Sequence, residues 1–231
     1  MISPILLRTV QIACMVLGAA PGPNSQQPTS GGAAIRAVTF EGKEVLLTPD
    51  GKWEYAPQAH SDSLPFRKAK WGMDSKSVLA SEKVQPVQNA DGVMTFKDRL
   101  LGKDVYAAYI FAGDVLVRGK YVLSAKHMNA TDYYTEDYDG FLKALTQKYG
   151  KPIKKEVIWK NDLYKDDPSE WGTAISVGHM IAYANWTVED TEIALIIYGD
   201  NFDVTVAVEY MSKLLEPVED KLRADEDQGK L

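Results

Sequence analysis

The sequence predicts an α+β protein. Two units, each a helix followed by an antiparallel meander, pack their helices on one face of the sheet, and a small β-meander precedes them. Three observations carry this. Helices are indicated near 75–83 and 136–149, the second with an apolar stripe of Tyr138, Phe141, Leu142, Leu145 and Tyr149. Runs rich in Val, Ile, Thr and Tyr follow each helix. Those runs are punctuated by short Gly- or Asp-bearing turns, which join antiparallel neighbours.

Taken in order, Met1–Arg8 brings one positive charge ahead of Thr9–Ala20, TVQIACMVLGAA, an apolar stretch ending in small residues. This is the layout of a secretory signal peptide over 1–20, with cleavage expected between Ala19 and Gly22, so the protein is expected to be exported and periplasmic (or secreted). Cys14 is the only cysteine, and its flanks, Gln11-Ile12-Ala13 and MVLGAA, argue against lipid anchoring. A mature chain without cysteine has no disulfide, thiolate nucleophile or Cys-ligated zinc. It is also expected to have no membrane span.

Residues 21–33 form a Pro/Gly/Ser/Gln tether. Residues 34–56 read as the small meander, with strands near 34–40, 44–48 and 52–55 and a strong turn at Pro49-Asp50-Gly51. A linker over 57–64 leads into the tandem domain, 65–214. In its first unit, Asp74 is placed to cap the helix, and strands are expected near 93–99, 104–111 and 115–123. In the second, Thr135 is the expected cap and Gly150 the C′ residue, and strands are expected near 154–159, 173–177, 180–187, 191–198 and 203–210. Lys151, Lys154 and Lys155 suit an edge strand, where lysine discourages edge-to-edge pairing. The acidic tail, 215–231, reads as a frayed helix or an unstructured end.

AVTFEGKEVLLTPDGKWEY resembles the A-x-T-x-x-G-x-x-V-x-L-x-x-D-G-x-W-x-Y segment of bacterial exported proteins. FRKAKWGMDSKSV resembles the F-R-x-x-x-W-G-M opening of a domain found in similar proteins, and FLKALTQKYGKP fits their second helix. The layout is also similar to the tandem α+β fold of the β-lactamase-inhibitor-protein type and to the small lipoprotein of the outer-membrane barrel-assembly machinery. The resemblance implies export and this fold; it brings no catalytic residues.

A net charge of −6 with scattered basic residues argues against a nucleic-acid partner. The chain has no G-x-S-x-G elbow, Walker A loop or dinucleotide fingerprint. His60, His127 and His179 stand far apart in sequence and form no metal motif. No cofactor, metal or catalytic residue is therefore expected. GDNFD, 199–203, reads as a hairpin turn because it lacks the Gly and distal Glu of a calcium loop.

The most suggestive constellation is DYYTEDYD, 132–139, whose aromatic faces and acids at a helix entrance could receive a sugar, a cation or a partner's basic residue. The same acids also suit a first helical turn. Tyr133, Tyr134 and Asp137 are the candidate binding residues there. Trp171, closing the polar insertion NDLYKDDPSEW, is the fourth. These features point to a non-enzymatic binding or envelope-accessory protein whose partner is a protein or cell-envelope component. A secreted enzyme inhibitor is the nearest variant, and a hydrolase with an unfamiliar carboxylate or histidine site is the alternative class.

Overall fold

The computed structural model describes residues 35–38, 44–47, 52–55, 65–127 and 132–228. The predicted signal peptide, Cys14, the tether and the linker lie outside the described residues. Three strands, β1 (Ile35–Val38), β2 (Glu44–Leu47) and β3 (Trp53–Tyr55), pair in sequence order as an antiparallel meander.

From residue 65 the chain builds one eight-stranded antiparallel sheet with four helices. The first helix, α1 (Ser75–Glu82), precedes β4 (Gln88–Ala90), β5 (Val93–Leu100), β6 (Lys103–Ala112) and β7 (Val115–Leu123). Next come α2 (Asp132–Tyr149) and β8 (Lys154–Trp159), then α3 (Trp171–Ser176). They are followed by β9 (Met180–Val188), β10 (Thr191–Asp200), β11 (Asp203–Ser212) and α4 (Glu216–Gln228). The sheet order is β4-β5-β6-β7-β11-β10-β9-β8, so the last strands of the two successions, β7 and β11, pair at the centre.

Strand alternation puts Met94, Phe96, Tyr109, Leu195, Ile197, Val206 and Val208 on one face. There they meet Val78 of α1, Tyr134, Tyr138, Phe141 and Leu145 of α2, and Ala174 and Ile175 of α3. The helix spacing seen in sequence is thus a core-facing stripe. Phe66 sits in the middle of this core, with the rings of Tyr109, Tyr121 and Tyr210 at 5.1, 5.0 and 5.5 Å between centroids. It lies against Gly119, where any side chain would overlap its ring.

The stretch around it behaves as a clamp. Arg67 forms a bidentate pair with Glu82 (2.9 and 2.8 Å) and a further ion pair with Asp98. Trp71 donates from Nε1 to Thr191 (2.9 Å), and Gly72 N–H reaches the Leu116 carbonyl (2.9 Å). Asp74 caps α1 by accepting from Ser77 N–H at 2.7 Å, as its sequence position predicts. The Trp71-Gly72-Met73 stretch therefore ties α1 to β7 and β10.

Four expectations need correction. Residues 173–177, expected as a strand, are mostly helical as α3. Its apolar Ala174 and Ile175 are adjacent and both buried against the helix-bearing sheet face, and a Cβ on Gly199 would stand 2.5 Å from the Ile175 carbonyl oxygen. Helix α2 begins at Asp132 rather than after Thr135, whose hydroxyl instead donates back to the Asp132 carbonyl (2.6 Å).

The acidic tail is the docked helix α4: Leu215, Val218 and Leu222 pack with Ala112 and Val117, and Glu219 accepts from Arg118 at 2.7 Å. Arg118 points away from the α1–α3 face, so α4 docks on the other face, at the β6–β7 end. Finally, polar Gln88–Ala90, with no strand signal of its own, is recruited as β4 by backbone pairing with β5.

Candidate functional site

Five two-residue hairpins show how the chain makes its turns, and the one between β9 and β10, Glu189-Asp190, has no glycine and puts Glu189 at φ +51°. Asp91-Gly92 and Leu101-Gly102 have both central residues at positive φ and place glycine second, as a type I′ turn favours. Gly113 opens the β6–β7 turn with φ +60°. The β10–β11 turn also lacks glycine and puts both central residues at positive φ. Asp200 pairs with Asp203, and the central residues are Asn201 (φ +48°) and Phe202 (φ +64°). A phenylalanine in the left-handed region is strained by its Cβ, by about 1–2 kcal/mol. The ring gives nothing back to the core, since Phe202 is 71% exposed. Its backbone is fixed all the same, because its N–H donates to the Ser176 carbonyl at the end of α3 (2.9 Å).

The loop after β7 and the first turn of α2 lie beside this hairpin tip. Lys126 forms an ion pair with Asp203, next to Phe202. The following residue, His127, is held on three sides. Its Nε2 meets Asp137 Oδ2 at 2.8 Å, its N–H donates to the Tyr134 hydroxyl at 2.8 Å, and its ring lies 4.6 Å, edge-on, from that of Tyr134. Asp137 is almost wholly buried and ion-paired at its other oxygen with Lys103 of β6 (2.6 Å). The bond to Asp137 pulls the Lys103 pKa above its ordinary value.

Tyr133, 53% exposed, leans over His127 with centroids 5.5 Å apart. Three of the four residues expected from sequence, Tyr133, Tyr134 and Asp137, therefore converge, but with distinct roles. Tyr134 and Asp137 are buried and orient His127, while Tyr133 is presented to solvent.

Trp171 belongs to another cluster. Its ring meets Trp159 at 5.9 Å and its Nε1 donates to the Lys165 carbonyl (3.3 Å), closing the polar insertion. His179 stacks on Tyr164 nearby (5.6 Å).

Sequence reasoning missed Lys103 and Phe202, and weighed His127 only as a metal-binding or catalytic histidine. For Phe202 a signal was present: a bulky aromatic at a turn position where three of the other four two-residue turns of the sheet carry glycine. For His127 and Lys103 only strand pairing could bring residues 103, 127 and 137 together.

Chemically the cluster is a rigid mount. Asp137 can fix the tautomer and ring plane of His127, a carboxylate–imidazole pair of the kind that orients a base. Ser124, the nearest hydroxyl in sequence, is committed to the Asp104 carbonyl (2.9 Å). Among the described residues no three His, Cys, Asp or Glu side chains gather as a metal site, and no helix is long and apolar enough to cross a membrane. Around the mount, Asp132, Glu136, Asp139 and Asp200 are exposed, so the surface is acidic as well as aromatic. Scans against protein-family models, curated proteins and solved structures return no match.

Proposed function

We propose that this chain is an exported, non-enzymatic binding module that engages a basic segment of a partner protein through the Tyr133–His127–Phe202 end of its sheet. The two helix-then-meander successions are read as a tandem scaffold for that end. The signal-peptide layout and the resemblance to exported bacterial proteins support the compartment.

One observation carries the binding site: Phe202 is held in a strained backbone conformation while its ring lies in solvent. Strain kept where it serves no packing marks a position maintained for contact. Rigidly mounted aromatics are the usual anchors of protein interfaces, since little entropy is lost when they bind. Tyr133 and Phe202 offer ring faces to a Lys or Arg, and the surrounding carboxylates complement its charge.

The test uses the immobilised protein and an envelope extract, followed by titration of the captured partner. Tyr133→Ala and Phe202→Ala should each weaken capture at least about tenfold, and raised salt should weaken it further. Phe202→Gly should in addition raise stability by about 1 kcal/mol, because glycine relieves the left-handed strain. Capture unaffected by both aromatic changes would remove this surface from consideration. Turnover of a hydrolase substrate that is lost in His127→Ala would favour the enzymatic reading instead.

A further inference from the structure

We infer that β8 is a second binding element, which accepts an extended acidic segment of a partner as a ninth strand of the sheet. The two edges of the sheet are unequal. β4 has three residues, too few to template pairing, whereas β8 has six, and among the described residues no strand lies outside it. The Lys160 N–H donates to the His179 carbonyl (2.7 Å), which fixes the phase of the ladder. Residues 154, 156 and 158 turn their backbone groups towards β9, so those of Lys155, Val157 and Trp159 point outward.

The side chains define what fits. Lys154 and Lys155 stand on opposite faces at one end of the strand, and Val157 (41% exposed) and Ile158 (42%) on opposite faces at the other. Lys151 and Lys160 add positive charge at the two ends, and the one acid, Glu156, is engaged by Tyr183 and by Lys154 (3.1 Å). These lysines oppose pairing of β8 with a second copy of itself, yet they attract a strand that bears carboxylates. The matching segment has two adjacent acids at one end and β-branched residues at the other. Main-chain bonds would supply affinity and the lysines its register.

A synthetic peptide of sequence Val-Thr-Val-Thr-Glu-Glu, with Lys-Lys replacing Glu-Glu as control, tests this on the full protein by fluorescence titration and amide hydrogen exchange. The acidic peptide should bind and protect the Lys155 and Val157 amides, and the control should bind about tenfold more weakly. Val157→Pro deletes an outward N–H without touching the β9 ladder, so it should abolish binding with an unchanged far-ultraviolet spectrum. Lys154→Glu/Lys155→Glu should invert the preference between the two peptides, a result that does not depend on how well the proline variant folds. Equal binding of both peptides, or binding that leaves those two amides unprotected, would overturn the inference. So would a dimer in sedimentation that Val157→Pro dissociates.

Discussion

Glu82→Ala is expected to cost about 3–5 kcal/mol of stability in urea unfolding, because it leaves the buried Arg67 guanidinium with only the partly exposed Asp98 as a partner. Glu82 is the hub of the first unit. Its carboxylate takes both arms of Arg67, a short hydrogen bond from the Tyr109 hydroxyl and an ion pair from Lys68 at 3.3 Å. Its side chain is 1% exposed and that of Arg67 is 12% exposed, so water cannot replace what the mutation removes. Tyr109→Phe, by contrast, leaves the ion pair intact and should cost about 1 kcal/mol. A loss below 1 kcal/mol for Glu82→Ala would mean that the cluster relaxes into solvent and does not hold α1 to the sheet.

The same carboxylate fixes the acid limb of the stability curve. Burial alone would push its pKa up, but the hydrogen bonds from Arg67 and Tyr109 outweigh that and bring it from 4.5 down to about 2. Between those values the unfolded chain binds a proton that the folded chain refuses. The contribution of Glu82 is therefore complete above the unfolded value of about 4.5 and is lost as pH falls towards 2. In Glu82→Ala, stability should depend less steeply on pH across that window.

How far the sequence foretells these features depends on the range of the interactions behind them. Asp74, the Asp91-Gly92 and Leu101-Gly102 turns and the long apolar strands β9 to β11 act within a few residues, so composition and spacing reveal them. Of the lysines near 151–155, Lys154 and Lys155 do fall on an edge strand, β8, because the rule that places them there concerns only that strand's own exposure. Partners supplied from a distance explain the rest. Residues 173–177 carry strand-like residues, yet the close approach of α3 to Gly199 decides their conformation. Leu215, Val218 and Leu222 stand among the charges of the acidic tail, and they become a docking stripe only once Ala112 and Val117 stand opposite. Within the candidate site, Tyr133, Tyr134 and Asp137 are neighbours on one helical turn and were legible. His127, Lys103 and Phe202 come from a loop, a strand and a hairpin that only the tertiary fold assembles.

Phe66→Ala is expected to cost about 3–5 kcal/mol, the loss of a large ring from a tightly packed site. Phe66 is 2% exposed and touches three tyrosine rings from β6, β7 and β11, so its removal opens a cavity where the two halves of the sheet meet. Gly119 gives the complementary measurement. Adding a methyl there forces the ring aside, so Gly119→Ala alone should cost about 1–3 kcal/mol by overpacking. In the Phe66→Ala background the same methyl enters vacated space, and its cost should shrink or change sign. A coupling of 0.5–3 kcal/mol in this cycle is the signature of direct contact. Additive effects would show that the ring does not rest on Gly119. Stability and partner affinity together test whether the Phe66-Arg67…Trp71-Gly72-Met73 stretch serves assembly. If it is an assembly element, its variants lose stability and, while folded, keep the partner affinity of the parent. The Tyr133 and Phe202 variants should do the reverse, keeping or gaining stability while losing affinity. The stretch that opens the domain then serves folding, and the exposed aromatics at the end of the sheet serve recognition.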